Sequence, residues 1–349
     1  MVDHARPTPQ RRRTLAELYK NWKEVILTCN CSDTQMDGIS KWLVLTRACV
    51  FSMTFFSGLI GLMLAATAQG FHLFNGLLAV IGITLAHASN NLINDYFDLA
   101  VGLDSSEDYA RAQYAPHPVL SGLSSKREMI AAILLINLID AAIMIYLAAV
   151  VSPWVIAFAV AGLFISVFYT VPPVRLKRIG LGEPSVLLIW GPLMTGGTFY
   201  AATGSLPLWA VIATIPYALI VTAVLMGKHT DKIEQDRAKD IHTLPVILGE
   251  KVALRVTQAL ITLFYPVVIG LVLAGDMGVW ALLTVLSIPM YLETMKLLNQ
   301  PRPTEPPENY PVWPLWYVSI AFRMTRSAGA TLILGLLLNL IFPITINLF

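Results

Sequence analysis

The sequence predicts an all-α integral membrane protein with about nine transmembrane helices and a cytoplasmic N-terminus. Three observations carry that expectation. Of 349 residues, 56% are hydrophobic and 13% charged, against roughly 25% charged in an ordinary soluble domain. The apolar residues gather in runs of about 18 to 25, the length that crosses a hydrocarbon layer roughly 30 Å thick. When these runs are read as spans, all 24 lysines and arginines fall on one side, and the positive-inside rule makes that side cytoplasmic.

Residues 1–41 form a cytoplasmic N-terminal segment. Its Arg11-Arg12-Arg13 run is followed by mixed residues instead of an apolar core, so it does not read as a signal peptide. Leu15, Leu18, Trp22, Val25 and Ile26 then recur at helical spacing with Glu17, Lys20, Lys23 and Glu24 between them, which predicts a helix lying on the membrane surface.

Residues 42–349 form the membrane domain. The first span runs from Trp42 to Thr67, and the second from Phe71 to Asp98, where it ends in acidic residues. Glu128 to Val150 and Pro153 to Val171 form a hairpin closed by Val151-Ser152, and Gly182 to Thr203 with Leu206 to Gly227 form another closed by Gly204-Ser205. Val252 to Ala274 and Met277 to Leu298 turn at Gly275-Asp276, and Ser327 to Phe349 is the ninth span. The tight turns carry no Lys or Arg; the long loops on the other face hold them.

A formal charge of +2 dispersed over loops supplies no basic patch for nucleic acid. Cys29, Cys31 and Cys49 are too few and too closely set for a zinc site; they read as ordinary thiols on a reducing face.

Two acidic clusters end the second and sixth spans on the same face. In Asn90-Asn91-Leu92-Ile93-Asn94-Asp95-Tyr96-Phe97-Asp98, the spacing of Asn91, Asp95 and Asp98 puts three oxygen-bearing side chains on one helix face. Such a row suits Mg²⁺, which takes a few protein oxygens and completes its shell with water and phosphate. The second cluster is Lys228-His229-Thr230-Asp231-Lys232-Ile233-Glu234-Gln235-Asp236-Arg237. Carboxylates at a helix C-terminus oppose the macrodipole unless a cation offsets them, so plain helix-end charge explains them poorly. Clusters repeated at the ends of two spans also suit a duplicated four-helix unit with one extra helix, its site at the interface of the repeats.

These residues resemble the UbiA superfamily of intramembrane prenyltransferases. Asn94 to Asp98, Gly102-Leu103-Asp104 and Pro118-Val119-Leu120-Ser121-Gly122 are similar to its first signature. Glu234 to Arg237 with Thr243-Leu244-Pro245 and Leu248-Gly249 is similar to its second. Tyr169-Thr170-Val171-Pro172-Pro173, Gly180-Leu181-Gly182-Glu183 and Gly191-Pro192-Leu193 resemble the quinone-synthesising branch that prenylates dihydroxynaphthoate. The resemblance covers Arg47 to the end of the chain. It implies a nine-helix bundle around a central cavity open to lipid, with Mg²⁺ and a prenyl diphosphate at the two acidic motifs. Asn91, Asp95, Asp98 and Asp236 are the implied metal ligands, and all but Asn91 the implied catalytic residues. The second motif has Lys232 where an Asp is usual, so Asp231 beside it is expected to take that place. His117 stands where an Arg is common.

The chemistry that follows is general. Diphosphate leaves carbon only when its developing charge is neutralised, and bound metal does this as a Lewis acid. Arg47, Arg111, Lys228 and Arg237 are the expected cationic partners on the same face. The allylic cation must be kept from water. Tyr96, Phe97, Tyr169, Phe199 and Tyr200 are candidate cavity rings for it, although core packing is the commoner use of such residues. Asp140 lies mid-span, where an ionisable group is either functional or bonded to a neighbouring helix through a group such as Asn137. His87 reads as a polar bond between helices, Pro172-Pro173 with Arg175, Lys177 and Arg178 as a stiff basic loop, and Pro301 to Pro314 as a cover for the cytoplasmic mouth.

The leading expectation is Mg²⁺-dependent prenyl transfer from an isoprenoid diphosphate to an aromatic or quinone-precursor acceptor, inside the lipid bilayer. The same fold and metal site also suit a terpene cyclase that uses no acceptor. A secondary transporter is disfavoured because its coupling residues belong at the membrane midplane.

Overall fold

The computed structural model describes residues 13–32, 36–100, 117–308, 310 and 312–348. Arg11, Arg12, Arg111 and the Gly102-Leu103-Asp104 motif lie outside the described residues. Among the described residues the regular elements are all helical.

Local signals start several helices. Thr14 and Glu17 exchange hydrogen bonds in a capping box that opens α1 (Leu15–Thr28). Asp37 accepts from the N–H groups of Ile39 and Ser40 to open α2 (Gly38–Leu45). Trp22 Nε1 donates to the same Asp37 at 3.1 Å, so α1 and α2 share one anchor.

The expected first span is corrected here. Its helix breaks after Leu45, because Arg47 adopts a left-handed conformation (φ 57°, ψ 49°) before a 3-10 turn at Ala48–Val50. The span proper is α3 (Phe51–Ala65). The cysteine reading is corrected too. The fold joins Cys29 at the end of α1 to Cys49 as a disulfide, with Cα atoms 5.1 Å apart, and leaves Cys31 as a buried thiol. Folding α1 back onto the head of α3 creates this pairing, and residue spacing alone does not show it.

Next come α4 (Leu73–Ala100), α5 (Lys126–Val150) and α6 (Trp154–Thr170). A second capping box, Ser125 with Glu128, starts α5. The fifth apolar run is interrupted: α7 (Gly182–Leu188), a π-helical stretch (Ile189–Gly196) and α8 (Gly197–Thr203). Pro192 within it lacks an N–H, and the wider turn absorbs the missing bond. After α9 (Leu208–Thr230), the short α10 (Ile233–Ala238) and α11 (Leu244–Leu248) lead into α12 (Glu250–Leu273). The eighth run begins as a 3-10 helix (Val279–Ser287) and continues as α13 (Ile288–Leu298).

The last helix, α14, runs from Tyr317 to Ile341, not from Ser327 to Phe349. Arg323 and Arg326 lowered the apparent hydropathy of its first turns, yet both are engaged. Arg323 pairs with Glu293 at 3.2 Å. Arg326 donates to Cys49 O at 2.8 Å and Ile26 O at 3.3 Å, and lies 4.2 Å from the Phe322 ring.

Among the described residues, seven helical segments are long and apolar enough to cross a membrane. α6 has 17 residues, and the fifth run is irregular. The tightest packing centres on α9, flanked by α12 and α14, with Tyr217, Phe264 and Met324 fully buried between them. Gly227 allows a close approach: a Cβ there would stand 2.8 Å from the Tyr317 carbonyl. Between α4, α5, α6 and the fifth run the packing opens into a cavity of about 340 Å³.

Candidate active site

Arg47 and Asp95 form the first connection between segments. Asp95, three-quarters of the way along α4, is fully buried and pairs with the Arg47 guanidinium. The left-handed backbone at Arg47 aims that side chain. One turn earlier on α4, Asn91 donates to Thr46 O at 2.9 Å and fixes the bend from the other side. Asn94 Oδ1 accepts from Thr170 Oγ1 at 2.8 Å, which ties the end of α4 to the end of α6.

The remaining acids divide by their partners. Asp98 Oδ1 and Asp236 Oδ2 are buried and have no hydrogen-bond partner among the described residues. Both carboxylates lie within electrostatic reach of the Tyr169 hydroxyl, as does Glu183, so the ends of α4 and α6 and helix α10 converge. Around them stand cations: Lys228 feels the charges of Arg47, Lys177, Lys232 and Asp98. Buried carboxylate oxygens without donors are costly, and a cation with phosphate completes them. The donor set therefore fits Mg²⁺, although no group of three or more His, Cys, Asp or Glu among the described residues is spaced to hold an ion by itself.

Asp231 is placed differently. Its two oxygens accept from the backbone N–H groups of Tyr317 at 2.9 Å and Val318 at 3.0 Å, so it caps the N-terminus of α14. Burial pushes its carboxyl up to about 6, against the pull of those N–H groups. Both oxygens of Asp231, expected at the metal, are thus engaged by the head of α14. Arg237, expected at the diphosphate, is exposed and bonds Glu234 at 2.9 Å, one turn away on α10.

Sequence reasoning missed the pair beneath this cluster. His229 Nδ1 meets Glu183 Oε1 at 2.6 Å, with both side chains almost wholly buried. The other ring nitrogen, Nε2, lies 3.5 Å from the Tyr169 hydroxyl. A ring that donates from Nδ1 to the carboxylate presents Nε2 as an acceptor. The available signal was depth: Glu183 begins the fifth run and His229 ends the sixth, so an antiparallel hairpin puts both at one level. Lys177, read as part of a basic loop, also belongs to this surround.

Of the expected cavity rings, Tyr169 alone joins the acidic cluster. Tyr96 packs against Leu45, Leu92 and Met129, Phe97 meets the edge of Tyr96, Tyr200 packs on Phe158 at 5.3 Å, and Phe199 on Trp209. The cavity's aromatic wall is Trp190, Phe158 and His87. His87 also meets Thr54 Oγ1 at 2.6 Å, the expected bond between helices. His117 is buried and accepts from the N–H groups of Val119 and Leu120, so it shapes the turn in which it sits. Arg302 stacks over Trp313 and donates to Asp231 O at 3.5 Å.

The UbiA prenyltransferase family model matches residues 54–320. The chain belongs to the UbiA prenyltransferase family. It is similar to 1,4-dihydroxy-2-naphthoate octaprenyltransferase of Bacillus subtilis, 25% identical over 72% of this chain and 80% of that one. It is also similar to mouse UbiA prenyltransferase domain-containing protein 1, 26% identical over 60% of this chain and 61% of that one. Among solved structures, an apo UbiA homolog from Aeropyrum pernix superposes with a TM-score of 0.62 at 19% identity, covering 83% of this chain and 98% of that one. A UbiA homolog from Archaeoglobus fulgidus bound to GPP and Mg²⁺ superposes at 0.52 with 17% identity, over 84% and 99%. The UbiA fold accounts for the all-helical architecture, and membership makes the chain a prenyltransferase of the UbiA type.

Proposed function

We propose that this UbiA enzyme transfers a prenyl group from an isoprenoid diphosphate to an aromatic, quinone-precursor acceptor within the membrane, with its active-site loops on the cytoplasmic face. The observation that carries the reading is the pair of buried oxygens, Asp98 Oδ1 and Asp236 Oδ2, that have no donor among the described residues, with the charges of Arg47 and Asp98 acting on Lys228. The relatives support the substrates: one is named for naphthoate prenylation, and a homologous structure is bound to GPP and Mg²⁺. The one-sided distribution of Lys and Arg supports nine spans and the orientation.

Asp98 and Asp236 would hold Mg²⁺, which supplies Lewis-acid neutralisation of the leaving diphosphate. Arg47, Lys177 and Lys228 bind the remaining phosphate charge. Asp95 holds Arg47 in place. In the reaction the allylic C–O bond breaks and its electron pair leaves with diphosphate. A ring carbon of the acceptor bonds to the allylic carbon, and the ring then loses a proton. His229 Nε2, oriented by Glu183 and 3.5 Å from the Tyr169 hydroxyl, is the buried base we assign to receive it.

The direct test is purified protein in detergent, given prenyl diphosphate and Mg²⁺ with and without a dihydroxynaphthoate acceptor. Release that needs acceptor and yields a prenylated ring is expected; acceptor-independent release with a cyclic hydrocarbon would establish the cyclase. Asp231 gives a separate check. Asp231→Ala is expected to lower stability by about 1 kcal/mol and to leave the Mg²⁺ requirement of release unchanged, as measured by thermal unfolding and by Mg²⁺ titration. A raised Mg²⁺ requirement would return Asp231 to the metal.

A further inference from the structure

The cavity holds an acid that the proposed reaction does not use. It runs along α4 from Ile93, within one turn of Asp95, through Asn90 to Ala79. Its walls are mostly apolar and come from α5, α6 and the fifth run as well as α4. Near the far end Asp140 faces it from α5. Asp140 is half-buried and has no hydrogen-bond partner among the described residues. Asn137, the other polar residue on that face of α5, is satisfied by Ser89 Oγ at 2.6 Å and Ile133 O. Asp140 is therefore not the other half of that interhelical bond; its hydrogen-bonding capacity is turned to the cavity.

Its position is set by Gly82. A Cβ at Gly82 would stand 2.9 Å from Asp140 Oδ1, so the carboxylate comes this close to α4 because that residue has no side chain. From Ile93 to Gly82 the helix advances about 16 Å at its usual rise.

On the reading that a prenyl diphosphate binds with its head at Asp98 and Asp236, we propose that Asp140 limits the length of the donor's chain. A tail that ends above Gly82 meets only apolar wall. One that continues must lie across the carboxylate and bury it against hydrocarbon without a partner, a position strongly unfavourable for an acid inside a membrane. Donor chains that stop short of Asp140 are selected over chains that pass it.

The experiment uses the full-length protein in detergent with a ladder of all-trans prenyl diphosphates from two to eight isoprene units, and kcat/KM for each. Asp140→Leu is expected to raise the use of the longer donors about tenfold relative to the shortest, the consequence of removing one polar group that loses its partner. Gly82→Ala, which pushes the carboxylate into the cavity, is expected to move the preference the other way. Dissociation constants for the same ladder of non-hydrolysable diphosphate analogues give a readout that needs no turnover. A length profile unchanged by Asp140→Leu in an active protein overturns the inference and leaves the reaction standing. Analogue binding whose length profile shifts, without turnover of any donor, keeps the inference and sinks the transferase reading. Failure of every analogue to bind overturns both.

Discussion

Asp236→Asn is expected to cut diphosphate release by two to three orders of magnitude, the loss that follows when one preorganised charge-stabilising group is removed from a site. Asp98→Asn should do the same. Both substitutions keep the side chain's size, so folding is preserved, and the purified variants should unfold at temperatures close to that of the parent. The carboxylate matters because Asp236 Oδ2 and Asp98 Oδ1 are buried without a donor among the described residues. An amide in either place brings N–H groups where a cation belongs. Full activity in either variant would remove that residue from the metal site. The two effects should also be less than additive in the double variant, since groups that act as a unit do not contribute independently.

The second large effect concerns the buried Glu183–His229 pair. Glu183→Ala leaves the N–H of the neutral imidazole buried without its acceptor, and a stability loss of about 1–3 kcal/mol is expected. His229→Leu strands the buried carboxylate at a higher cost, about 3–5 kcal/mol. Replacing both by well-packed apolar residues should recover much of that stability but not the activity, because the base beside Tyr169 is then gone. Chemical denaturation in detergent separates these outcomes. A double variant that loses as much stability as the two single variants together would show that the pair is not coupled.

How much of this was legible in the sequence depends on how local the cause is. Spans show themselves by length and apolarity, and the second, third, fourth and sixth runs lie close to α4, α5, α6 and α9. The break at Arg47 did not show, because the residues on either side are as apolar as a continuous span and the turn is stabilised by Asp95 from another helix. Arg323 and Arg326 concealed the start of α14, since hydropathy counts a charge without knowing that Glu293 or a carbonyl will meet it.

The site follows the same rule. Asp98 and Asp236 stand out because carboxylates at the ends of apolar runs have no local reason to be there. Asp231 looks equivalent from its position, yet its partners are N–H groups distant in sequence. Arg237 has a local partner in Glu234, at the i, i+3 spacing that the sequence does display. The spacing of Cys29 and Cys49 says nothing of the fold of α1 over the head of α3 that brings them together.

The measurement that tests the account most directly is the Mg²⁺ dependence of diphosphate release in the parent protein, Asp98→Asn, Asp236→Asn and Asp231→Asn. The account predicts that a chelator abolishes release and that added Mg²⁺ restores it. It also predicts that the half-saturating Mg²⁺ concentration rises in the Asp98 and Asp236 variants and stays at the parent's value in the Asp231 variant. Release that persists in the chelator, or a shift in the Asp231 variant equal to that of the other two, would contradict it.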